Sequence, residues 1–198
     1  MWSGKRPFDL FFSSVGILLL SPFFILIAAA VLFSDFGPVF YRQNRVGQNG
    51  KSFRILKFRT MVVDADKKGL LITAGNDSRI TGIGRLLRST KLDELPQLIN
   101  VFFGEMSFVG PRPEVEKYVS LLSEKDRNKI LSLKPGITDL ASIEFRDESD
   151  LLAASKDPEQ TYIQDILPRK TQLSLKYHEL ASFPADVKII FKTLQRIF

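Results

Sequence analysis

From Leu10 to Phe33 the chain is apolar but for Ser13, Ser14, Gly16 and the pair Ser21-Pro22. As a helix these roughly 24 residues cover about 36 Å, more than the ~30 Å of bilayer hydrocarbon. Proline removes a backbone donor and crowds the preceding turn, so Pro22 predicts a kink. Ser21 can satisfy the carbonyl that the proline frees. Lys5 and Arg6 precede the run, and Arg42, Arg45, Lys51, Arg54, Lys57 and Arg59 follow it, with no acid between Phe36 and Val63. Basic flanks favour the cytoplasmic side. A single span cannot place both flanks there. A re-entrant helix with its elbow at Ser21-Pro22 can, each half reaching roughly 16 Å. A kinked single span fits the length and the proline equally well. A signal peptide, with Lys5-Arg6 as its basic start and Ala28-Ala29-Ala30 as its cleavage site, fits less well, because its apolar core usually runs only ~7–15 residues. Arg6 and Asp9 lie three apart and can pair on one helical face. Asp9 is otherwise an ordinary acid favoured by the helix dipole.

Beyond the turn at Phe36-Gly37-Pro38, two apolar-aromatic stretches flank Asn49-Gly50 and predict a β-hairpin. Its basic side chains face lipid headgroups or an active site. Asp64 to Ser78 is polar and reads as a connection with weak helical character at its start. In Ile80 to Pro113, a short basic helix carries Arg85 and Arg88. Thr90 and Asp93 then have capping-box spacing, Pro96 suits only a first turn, and the apolar LPQLINVFF predicts a helix stopped by Gly104. Gly82-x-Gly84 lacks the third glycine of a dinucleotide fingerprint, Leu87 standing there. SLKPGIT, Ser132 to Thr138, is a turn, and Glu144 to Glu159 an acidic surface segment. Near the end, Val187, Ile190, Phe191, Leu194, Ile197 and Phe198 follow helical spacing, with Lys188, Lys192 and Arg196 elsewhere around the helix. Such a helix lies in a membrane interface or packs on the core. The expected fold is α+β, with the membrane helix in residues 1–35 and a second domain in 36–198 that carries the candidate site.

Composition narrows the chemistry. The 198 residues include no Cys and one His, His178, so disulfides, thiolate nucleophiles, histidine triads and Cys/His zinc sites fall away. His178 receives no role. The formal charge of +6 suits an anionic membrane face, nucleic acid or phosphorylated small molecules alike. Carboxylates, arginines and a hard divalent cation remain, an inventory suited to phosphate chemistry. Asp93-Glu94 is the leading pair. The local pattern explains it fully as a cap and a dipole partner, yet a carboxylate is also a nucleophile toward phosphorus. In Gly110-Pro111-Arg112-Pro113, two prolines stiffen the loop that presents Arg112, as a phosphate clamp or as a plain surface turn.

Several segments carry a resemblance: KRPFD from Lys5, Ser21-Pro22, FRILKFRTM from Phe53, the block Ile80 to Glu114 containing LDELPQ and GEMSFVGPRP, KPGIT from Lys134, and DVKIIFKT from Asp186. Together they resemble the monotopic phosphoglycosyl transferases, or bacterial sugar transferases, in their minimal catalytic form. Larger members add N-terminal membrane helices. The resemblance implies a re-entrant helix with both ends cytoplasmic and a place on the inner face of the bacterial cell membrane. It implies transfer of a sugar-1-phosphate from a UDP-sugar to a polyprenol phosphate, with release of UMP and a requirement for Mg²⁺. Membrane lipid is an expected partner and nucleic acid is not. Asp93 would be the nucleophile that forms a phosphosugar intermediate, and Glu94 would help hold Mg²⁺, for which both carboxylates are the expected ligands. Arg85, Arg88 and Arg112 would bind substrate phosphates. A membrane-anchored nucleotide-sugar hydrolase and an inactive scaffold are the competing functions. In one place the chain departs from the family pattern: PGIT is followed by DLASIEFRDE instead of GWAQ and a later GR, with Arg146 near where the later arginine stands.

Overall fold

The structure is a computed structural model that describes residues 2–65, 72–75 and 77–197. Helix α1 (Lys5–Asp35) is inside-out by the standard of a soluble protein: the side chains it buries include Lys5, Asp9 and Ser13, while Leu18, Leu19, Phe23, Ile25, Leu26 and Phe33 are exposed. Water penalises that arrangement and hydrocarbon rewards it. It is the one helix among the described residues long and apolar enough to cross a membrane. The helix continues through Pro22. The missing N–H leaves the Leu18 carbonyl, and the Ser21 hydroxyl donates to it at 2.8 Å, so the backbone polarity at the proline is met locally. Phe36, in the left-handed region at φ 53°, ends α1.

The polar side chains of α1 hold the rest of the protein. Lys5 Nζ lies 2.5 Å from Asp186 Oδ2 and also donates to Tyr177. Asp9 accepts from Ser107 Oγ and from the Phe108 N–H, both at 3.1 Å. Arg6 donates to the carbonyls of Val101 and Phe102. Arg6 and Asp9 therefore bind separate parts of the domain and not each other, because buried backbone offers each a better partner than its neighbour on the helix surface. At the other end Arg59 clamps Asp35 with both terminal nitrogens. Both ends of α1 are thus tied to one domain.

That domain begins with the predicted hairpin, β1 (Phe40–Val46) and β2 (Ser52–Phe58), antiparallel with Asn44 opposite Arg54. Its turn uses positive φ at Asn49 and Gly50. The expected helical start after Asp64 falls largely on 66–71, outside the described residues. Helices α2 (Gly82–Ser89) and α3 (Gln97–Phe103) follow, and α3 stops at Gly104 with φ +80°, as the pattern predicts. Strand β3 (Ser107–Val109) pairs in parallel with β4 (Gly136–Thr138), and the crossover holds α4 (Glu116–Val119) and α5 (Glu124–Leu131). Gly110 and Gly136 meet backbone to backbone: a Cβ on Gly136 would fall 2.1 Å from Gly110 N. That contact seats the Pro111–Pro113 loop against KPGIT.

Short helices α6 (Leu140–Glu144), α7 (Glu148–Ala153) and α8 (Pro158–Thr161) lead into a wide helical turn at Tyr162–Ile166 and then α9 (Leu167–Leu180) and α10 (Phe183–Ile197). Helix α10 packs on the core along one side and leaves apolar side chains exposed along another. Ile189, outside the predicted stripe, packs with Val109, Leu133 and Tyr177, while Phe183, Val187, Phe191 and Leu194 are exposed. The Ile197 and Phe198 side chains lie outside the described residues. Rings of Trp2, Phe8 and Phe183 join the start of α10 to α1.

Candidate active site

A cleft of about 1250 Å³ opens between the hairpin, α2, the Arg112 loop and the inner side of α1. Asp93, Glu94, Arg88 and Arg112 all line it; Arg85 does not, and projects from the exposed side of α2. The chain reaches the dyad through Lys91 at φ 58°, then a tight turn over Leu92–Glu94. The expected capping box does not form: Thr90 Oγ1 donates to the Leu86 carbonyl at 2.7 Å and closes α2, while the turn that follows has Lys91 at its N-cap and no side-chain cap. Asp93 and Glu94 precede α3 and do not sit in its first turn.

The two carboxylates differ in their surroundings. Glu94 Oε1 accepts from Lys57 Nζ at 2.6 Å and from Arg112 Nη2 at 2.7 Å. Burial opposes ionisation of Glu94, but Arg112 and Lys57 outweigh it and hold the carboxyl well below its ordinary value. In return Glu94 holds the Arg112 guanidinium above its ordinary value. Asp93 is 7% exposed. Among the described residues its carboxylate makes no hydrogen bond and no ion pair within 4 Å. Burial pushes it up, with Lys57 pulling down and Glu94 pushing further up. Burial pulls the Lys57 ammonium down, against the attraction of Glu94.

Other residues fix this geometry. Arg88 donates from Nε to Thr60 Oγ1 at 2.9 Å and from Nη1 to Thr73 Oγ1 at 3.1 Å. Thr81 caps α2 by accepting from the Gly84 N–H at 3.0 Å. A Cβ on Gly84 would fall 2.0 Å from the Thr60 carbonyl oxygen, so this glycine lets α2 press against the segment just after β2 that carries Thr60. Asp139, directly after KPGIT, caps α6 through Ser142 N at 2.7 Å and accepts the Arg112 N–H at 3.2 Å. It braces the arginine loop from behind. Arg146 lines the cleft.

Lys57 is the basic hairpin residue that faces the site, a residue the motifs do not single out. Its signal was in the strand period: Phe53, Ile55 and Lys57 alternate onto one face of β2, and the first two are buried. A lysine in register with a buried face needs an anion.

The donor set fits a hard cation. Glu94 Oε2 and both Asp93 oxygens accept no hydrogen bond among the described residues, and two carboxylates with substrate phosphates and water suit Mg²⁺. No third Asp, Glu, His or Cys joins them among the described residues.

The sequence comparisons agree in direction. The model of the family described as bacterial sugar transferase matches residues 1–198. A UDP-glucose:undecaprenyl-phosphate glucose-1-phosphate transferase of Klebsiella pneumoniae is 40% identical over 98% of this chain and 40% of its own length. The exopolysaccharide production protein ExoY of Rhizobium meliloti is 38% identical over 98% of this chain and 84% of its own. A putative undecaprenyl-phosphate N-acetylgalactosaminyl 1-phosphate transferase of Bacillus subtilis is 40% identical over 68% of this chain and 70% of its own. The chain thus spans well under half of the Klebsiella relative and most of ExoY. On these matches, the chain belongs to the bacterial sugar transferase family.

Proposed function

We propose that the protein transfers a sugar-1-phosphate from a UDP-sugar to a polyprenol phosphate through an intermediate on Asp93. The observation that carries this reading is the unequal treatment of neighbouring carboxylates: Glu94 is clamped by two cations, whereas Asp93 is buried and, among the described residues, left without a hydrogen bond. A carboxylate that shares its charge with no donor is the more nucleophilic of the two. An Asp93 oxygen attacks the β-phosphorus of the donor. The bond from that phosphorus to the oxygen bridging it to the α-phosphate breaks, and UMP leaves with that oxygen. An oxygen of the polyprenol phosphate then attacks the same phosphorus, the bond to Asp93 breaks, and the carboxylate is restored. Arg112 and Arg88 take the phosphate charge, each already oriented by protein partners. Mg²⁺, when held by Asp93 and Glu94, supplies neutralisation of the diphosphate.

The acceptor is a lipid, and the exposed apolar side of α1 supplies its surroundings. Lys5 and Asp35 tie both ends of α1 to the same domain. A domain lies on one side of a membrane, so these ties support re-entry over a span. The basic flanks favour the cytoplasmic face of the bacterial cell membrane. The relatives named for undecaprenyl phosphate support the acceptor class.

The test is detergent-purified protein with Mg²⁺, undecaprenyl phosphate and a panel of UDP-sugars. The expected result is UMP and lipid-linked sugar in equal amounts, with sustained turnover only when acceptor is present. Sustained UMP release without acceptor would make the protein a hydrolase. No release from any donor would leave a scaffold.

A further inference from the structure

Across the Arg112 loop from the dyad lies a second polar cluster that the transfer chemistry does not use. Lys170 Nζ is 2.6 Å from Glu148 Oε2 and 3.7 Å from Glu114 Oε1, and donates to the Tyr162 hydroxyl at 3.4 Å. Tyr162 in turn donates to Glu114 Oε1 at 2.8 Å. Arg45 Nη1 is 3.7 Å from Glu114 Oε2 and donates to the Pro113 carbonyl at 3.1 Å. All five residues line the same cleft as Asp93. Two carboxylates and two cations balance here, so the cluster holds no excess charge to attract a phosphate. The excess positive charge lies at Arg88, Lys57 and Arg112. What the cluster offers instead is a rigid set of donors and acceptors, which suits a neutral polyhydroxyl group.

Two further observations point to a ligand. Arg45 Nε and Ser142 Oγ are buried without a hydrogen-bond partner among the described residues, and both residues line the cleft. Buried polar atoms are normally satisfied, so unmet ones in a cleft are places a ligand can fill. Glu148 Oε1 likewise accepts no hydrogen bond among the described residues, although Oε2 is taken by Lys170.

We infer that Glu148, oriented by Lys170, reads the hydroxyl groups of the donor sugar and helps set which sugar is transferred. The inference rests on the transferase reading above. Arg112 supplies the link: its side chain is on Glu94 beside the nucleophile, while the loop that carries it continues directly into Pro113 and Glu114 in the cluster. A sugar attached to a phosphate at Arg112 therefore has the cluster beside it. Glu148 lies in the acidic stretch that follows KPGIT, and the relatives are named for different sugars, glucose and N-acetylgalactosamine.

The experiment compares wild type with Glu148→Gln and Lys170→Met. It measures kcat/KM for UDP-glucose, its C4 epimer UDP-galactose and UDP-N-acetylgalactosamine, together with binding of each donor and of UDP by calorimetry. The expected result is a change of about tenfold or more in the ratio between donors, with UDP affinity kept within about twofold. A purely structural role would lower all three donors by one factor and overturn the inference. So would loss of UDP affinity in step with the donors, which would assign the cluster to the nucleotide. Binding separates the two readings. If wild type binds donors but transfers none, the transferase reading fails, and the subsite still stands or falls on whether Glu148→Gln changes donor selectivity in binding.

Discussion

Arg112 and Glu94 are joined by a 2.7 Å contact, Nη2 to Oε1, and Lys57 reaches the same oxygen from the opposite wall. The convergence spends one oxygen of Glu94 on two cations and leaves the other for a metal. It also separates the roles of two residues that are adjacent in sequence.

Lys57→Met removes one of those cations. Because Lys57 pulls down the carboxyls of both Glu94 and Asp93, the variant needs a higher pH to ionise the dyad. The expected outcome is an acid limb of the pH–rate profile shifted upward and a loss of about 10- to 100-fold in kcat/KM at neutral pH. Lys57→Arg, which keeps the charge, is expected to restore part of the rate and to return the limb toward its original position.

Stability responds to pH with opposite signs at the two carboxylates. Glu94 is held below its ordinary value of 4.5, so its contribution is present above that pH and is lost as pH falls through the lowered value. Asp93 is held above 3.8, so the native state binds its proton more tightly, and stability is lost as pH rises from 3.8 through the raised value. Asp93→Asn removes the loss at rising pH. It is therefore expected to be no less stable than wild type at pH 7 by thermal denaturation, while losing activity.

Lys5 and Asp186 form a buried pair between α1 and α10, with Trp2 and Tyr177 completing the hydrogen bonds of the aspartate. Lys5→Met leaves that charge buried with two neutral donors. The expected cost is about 3–5 kcal/mol, read as a lower thermal midpoint in detergent. Lys5→Met combined with Asp186→Leu is expected to recover much of it.

The chain has no cysteine, so single cysteines report topology without background. Ser3→Cys and Lys51→Cys lie at exposed positions on either side of α1. Re-entry predicts that a membrane-impermeant maleimide labels both only after cells are lysed. Labelling of one before lysis and of the other after it would establish a span.

Much of this arrangement was legible in the sequence because it depends on local period and turn chemistry. The hairpin followed from Asn49-Gly50, the end of α3 from Gly104, and the carbonyl repair at Pro22 from Ser21. What was not legible depends on distant partners. Thr90 is the local exception: it takes the carbonyl four residues back in its own helix, an option that capping-box spacing does not distinguish. Arg6 and Asp9 look like a pair until Ser107 and the Val101 carbonyl arrive from about a hundred residues away. Lys57 belongs to the site because a strand brings it to Glu94, which motif spacing cannot express. Arg85 and Arg88 are equivalent in the sequence, and the helix surface alone sends one outward and one into the cleft.

The most direct test of the central claim is intact-protein mass spectrometry after incubation with Mg²⁺ and UDP-sugars, without polyprenol phosphate. The account predicts a sugar-phosphate adduct on Asp93, about one UMP per enzyme, and neither in Asp93→Asn. UMP released only when acceptor is present, with no adduct at any time, would mean direct transfer and would contradict a nucleophilic role for Asp93.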